Sequence, residues 1–63
     1  MFEQAMLRQL AQELLDQAQD AQKAYTGLVG RVADPTLREQ VELLAREKQR
    51  HVQLAERLVE IIG

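Results

Sequence analysis

The sequence predicts an all-α fold: an antiparallel helical hairpin, two copies of which dock into a four-helix bundle. Three observations carry this. Ala, Glu, Lys, Leu and Arg make up 33 of the 63 residues and Gln adds 9, the composition of long helices. The strong breaking residues before the terminal glycine, Gly27, Gly30, Asp34 and Pro35, all fall near the centre of the chain. Apolar residues recur at helical spacing on both sides of that break.

The first helix is expected over about 2–29. On 100° steps its apolar side collects Met6, Leu7, Leu10, Ala11, Leu14, Leu15, Ala18, Ala21, Ala24, Tyr25, Leu28 and Val29. The loop covers 30–34. Gly30 is read as a left-handed cap, because without a Cβ it has no steric cost at positive φ. Asp34 and Pro35 are read as N-cap and first residue of the second helix. The carboxylate accepts from free N–H groups, proline has none to leave unsatisfied, and the residue before proline is held out of the helical region.

The second helix is expected over about 35–62. Its apolar arc, built from Leu37, Val41, Leu43, Leu44, Ala45, Val52, Leu54, Ala55, Leu58, Val59, Ile61 and Ile62, is roughly 200° wide, whereas one partner helix needs about 100°. Two helices of about 28 residues joined by a short link fold back on each other as one domain, 1–63. The surplus apolar arc calls for a second copy, so the expected partner is a homodimer. A chain this short without disulfide or metal staples commonly completes its core that way.

Composition excludes several classes. Cys, Ser, Trp and Asn are absent, which removes disulfide scaffolds, cysteine zinc sites and a Ser or Cys nucleophile. A formal charge of -2 argues against nucleic acid as partner. There is no long apolar run and no leader-like start, so neither membrane nor export is expected and the cytoplasm is the default. Arg46, Arg50 and Arg57 are interleaved with glutamates and read as a solvated face.

Polar residues interrupt the apolar pattern. The 3–4 series of helix 2 runs Leu37, Val41, Leu44, Lys48, His51, Ala55, Leu58, Ile62, which puts Lys48 and His51 in the seam. Gln17 stands at the edge of the helix 1 seam at that level, and Glu47 lies one turn before His51. The structural reading is a polar layer of Gln17, Lys48 and His51 that fixes register, with Lys48 snorkelling or meeting Glu13, Asp16 or Glu47. The chemical reading is a metal site: Glu47 and His51, spaced i, i+4, reach one ion, and a second copy supplies two further ligands.

The stretch Tyr25-Thr26-Gly27-Leu28, then Asp34-Pro35-Thr36-Leu37-Arg38, Leu43-Leu44, Glu47-Lys48-Gln49-Arg50-His51 and Leu54 resembles the helical hairpin of rubrerythrin-like, ferritin-like proteins. That resemblance implies half of a ferritin-like four-helix bundle, with iron or another divalent metal as the cofactor. It also implies a Glu seven residues before Tyr25 and a Glu-x-x-His in the second helix. His51 occupies the histidine slot; Ala18 and Lys48 stand where the family has its glutamates. The expected function is therefore a non-catalytic structural or protein-interaction module without a cofactor, with a metal-binding protein assembled across the dimer as the alternative.

Overall fold

The computed structural model describes residues 3–63, which form two α-helices, α1 (Gln4–Val29) and α2 (Pro35–Ile62), packed against each other as a hairpin. The expected inclusion of Phe2 in helix 1 lies outside the described residues. Gln4 Nε2 donates to the carbonyl of Ile62 at 3.3 Å, so the start of α1 lies beside the end of α2. The hairpin is a rod with extents of 49, 16 and 14 Å.

The start of α2 is built as its sequence dictates. Asp34 has φ -68° and ψ 121°, its carboxylate accepts from the Thr36 N–H at 3.0 Å, and Pro35 opens the helix. The Asp34 carbonyl takes the first helical bond, from Arg38 N–H at 2.8 Å. The start of α1 is weaker: Glu3 is its N-cap, but the Glu3 side chain makes no capping hydrogen bond.

Gly30 corrects the expectation of a left-handed cap. Its φ is -69° and its ψ -14°, and no described glycine has positive φ. The N–H groups of Arg31 and Val32 both turn onto the Leu28 carbonyl, at 2.9 and 3.2 Å. The helix thus ends in a tightened last turn, the other standard way of satisfying terminal carbonyls. A Cβ on Gly30 would meet nothing closer than the Gly27 carbonyl oxygen, at 3.7 Å.

The inner seam of the hairpin consists of Ala11, Leu15, Ala18, Gln22, Tyr25 and Val29 on α1 and Val41, Ala45, Lys48, Val52, Ala55, Val59 and Ile62 on α2, all buried or half-buried. Both series alternate steps of four and three, the coiled-coil pattern. This corrects the expected seam of α2. Lys48 is in it, but His51 is not: Val52 takes that place, and His51 is exposed. Leu37, Leu44 and Leu58 are likewise exposed rather than inside. The seam residues are mostly alanine and valine, which let two helices approach closely; the leucines are displaced outward.

Candidate interaction face

Each seam residue has a chain neighbour on either side, and those neighbours define the two broad faces of the rod. A helix turns 100° per residue, and the two helices run in opposite directions. The residues one position before the seam therefore turn to the same side on both helices. On α1 these are Leu10, Leu14, Gln17, Ala21, Ala24 and Leu28. On α2 they are Gln40, Leu44, Glu47, His51, Leu54, Leu58 and Ile61. Leu7 and Leu37 extend the two stripes. Leu14 of α1 and His51, Leu54 and Leu58 of α2 line one groove of about 330 Å³, with Ala18 and Ala55 at its floor, so both stripes do border the same surface.

The residues one position after the seam form the opposite face. They are Gln12, Asp16, Gln19, Lys23 and Thr26 on α1, and Glu42, Arg46, Gln49, Gln53, Glu56 and Glu60 on α2. No apolar side chain interrupts this series. One face of the hairpin is thus leucine-rich and the other fully polar.

The leucine-rich face is uncovered. Leu14 is 51 % exposed, Leu54 53 % and Ile61 82 %. The buried residues among those described are only Ala11, Val41 and Val52, none of them large. Total accessible surface is 5165 Å². A folded monomer of this mass has about 4,100 Å². The excess goes with the elongated shape of the rod and with the leucines it leaves exposed, and large exposed apolar patches are the kind of surface proteins use to associate. Leu43 and Met6 are also exposed but stand singly off that face, which is ordinary for a soluble surface.

The polar residues singled out by sequence separate in space. Gln17, Glu47 and His51 lie on the apolar face, halfway along it, and all three are exposed. Lys48 lies in the seam, half-buried, with its Nζ 5.5 Å from the centre of the Tyr25 ring. The expectation of a carboxylate partner for Lys48 is replaced by this cation–π contact. Side chains on a helix lean toward its N-terminus, and the N-terminus of α2 is at the loop. Lys48 is thereby carried toward Tyr25. Asp16 instead accepts from Gln12 Nε2 at 3.1 Å and Glu13 from Gln9 Nε2 at 3.4 Å, each within its own helix.

The donors at this level do not fit a di-iron centre. Ala18 offers none, and the Lys48 ammonium, laid against an aromatic ring, is a cation where the family has a carboxylate. Within one chain no three His, Asp or Glu side chains among the described residues converge as metal ligands. Glu47 and His51 supply two per chain.

No family model, curated protein or solved structure matches this chain. No described helix is long and apolar enough to cross a membrane.

Proposed function

We propose that this chain is a non-catalytic, ferritin-like helical-hairpin module that pairs with a second copy of itself through its leucine-rich face, forming a four-helix bundle with a structural or protein-interaction role. The observation that carries this reading is the contrast between the two faces: no residue following the seam has an apolar side chain, while the residues preceding it are mostly Leu, Ile and Ala. Solvent would select polar residues on both. The face runs along the rod, and Leu10, Leu14, Leu28, Leu44, Leu54 and Leu58 are all exposed on it. Such a module, free of cysteine, suits a cytoplasmic setting.

Sedimentation equilibrium tests the reading. The expected species has twice the 7.2 kDa chain mass, about 14.4 kDa, at micromolar concentration. A folded species of single-chain mass overturns it.

The presence of His51 and Glu47 on the pairing face supports a second reading, a metal-binding protein whose site is assembled across the dimer. Zinc or ferrous ions separate the two. A large rise in the melting temperature of the unaltered protein favours the metal site, because ligands stabilise the state that binds them. The module reading expects no such rise.

A further inference from the structure

Between the two broad faces of the rod run its outer edges, turned away from the seam. From Ala11 to Val29 the residues neither in the seam nor next to it in sequence are Glu13, Asp20 and Gly27; from Val41 to Ile62 they are Leu43, Arg50 and Arg57. Each series repeats at seven residues, so its members stack on one line. The charges on the α1 edge are both acidic, those on the α2 edge are both arginine, and all four residues are exposed. Arg50 and Arg57 border the apolar face at Leu54, with which they line one hollow on α2. Within one hairpin both helices lie between the acids and the arginines, so these charges do not meet.

Joining two hairpins through the leucine-rich face lays edge beside edge, and two-fold symmetry allows two ways. With the loops at opposite ends each helix lies against its own copy reversed, so acids meet acids and arginines meet arginines. With the loops at the same end α1 lies against the partner's α2, so the acidic edge meets the arginine edge. In that arrangement the two-fold axis runs along the rod and leaves every residue at its own height. Three contacts set those heights: Gln4 with Ile62 at one end, Leu14 and Ala18 with His51 and Ala55 around one groove, and Lys48 with Tyr25 toward the loop. Each puts Glu13 level with Arg57, and Asp20 level with Arg50, to within about one turn of helix. The same heights put Gln17 against the partner's Glu47 and His51, so the polar group of the apolar face is matched as well.

We infer that the two hairpins pair with their loops at the same end, and that Glu13 and Asp20 of each chain form ion pairs with the partner's Arg57 and the partner's Arg50 along both edges of the joint. This rests on the dimer reading above and adds its alignment and its charged rim. One exposed ion pair adds little affinity. Four of them, set against four like-charge contacts in the other arrangement, select the orientation, as flanking charges do in coiled coils.

A single cysteine in the loop measures the alignment. The chain has no cysteine, and Ala33 is exposed. In spin-labelled Ala33→Cys, loops at the same end give an inter-label distance of roughly 20 Å, about two interhelical spacings. The opposed arrangement gives a distance near the 49 Å length of the rod. The long distance overturns the inference and leaves the dimer intact. A single-chain mass with no dipolar coupling overturns the dimer and the inference together. Charge reversal tests the edges themselves. Glu13→Arg with Asp20→Arg is expected to weaken self-association about tenfold or more, and adding Arg50→Glu with Arg57→Glu to restore most of it. In the opposed arrangement like charges face each other in the parent and in both variants, so neither the loss nor the rescue occurs. Absence of the loss, or failure of the rescue, overturns the edge pairing even with a short label distance.

Discussion

The two faces of this hairpin are built on the same two helices and share the same seam, yet one reads Leu, Ala, Leu and the other Gln, Asp, Glu. Water treats both alike in a lone hairpin. On the proposed reading, leucines kept on one side answer a contact that the lone hairpin lacks, as a sheet face or helix stripe inside a domain answers its neighbour. The Ala- and Val-rich seam provides close approach of α1 and α2 but little apolar burial. The leucines hold most of the burial still available, worth about 1.5–3 kcal/mol for each side chain fully covered.

Breaking that contrast should produce the largest effect. Leu44→Glu puts a charge in the middle of the apolar face, beside Glu47. It is expected to abolish self-association at micromolar concentration and to lower the melting temperature sharply, because an unpaired charge would be buried. Gln49→Glu, one turn away on the polar face, is expected to stay within about 0.5 kcal/mol of the parent. Comparable losses in both variants, measured by sedimentation and thermal melting, would mean that the faces are not functionally distinct.

A smaller effect is expected away from both faces. Gly27 lies within α1, and a Cβ there would meet nothing within 4 Å. Gly27→Ala should therefore stabilise by about 0.5–1 kcal/mol, through helix propensity alone. Destabilisation would show that the partner's backbone approaches at Gly27, which would extend the pairing face around α1.

The smallest change is expected in the seam. Lys48→Met exchanges a cation–π contact, worth about 0.5–1 kcal/mol at such a site, for thioether packing against Tyr25. The melting temperature should stay level or rise by a few degrees. A marked fall would show that the ammonium anchors a network beyond Tyr25.

These contrasts also explain what could be read from the residues in advance. The helix pair was legible because its signals are local: Asp34-Pro35 fixes one boundary by sterics and hydrogen bonding, whatever packs around it. The width of the apolar arc on α2 was legible for the same reason. Which half of that arc faces α1 was not. A 3–4 series through Leu44, His51 and Leu58 and another through Ala45, Val52 and Val59 are equally regular, and only the interhelical distance chooses between them. The choice of the small and β-branched series moved His51 from the seam to the surface. The placement of Lys48 beside Tyr25 had a usable signal in the lean of helical side chains toward the N-terminus. Gly30 illustrates the opposite error: a residue able to adopt positive φ is not thereby required to do so, and two N–H groups turning onto Leu28 ended the helix instead.

Thermal unfolding followed by circular dichroism over a hundredfold range of protein concentration tests the central claim most directly, since a fold completed by a second copy gains stability by mass action. The melting temperature should climb steadily with concentration, and helix content should fall on dilution as the dimer dissociates. A cooperative transition whose midpoint stays the same from the lowest to the highest concentration, with full helix content throughout, would show that the hairpin folds alone and that its leucine-rich face is not a self-pairing surface.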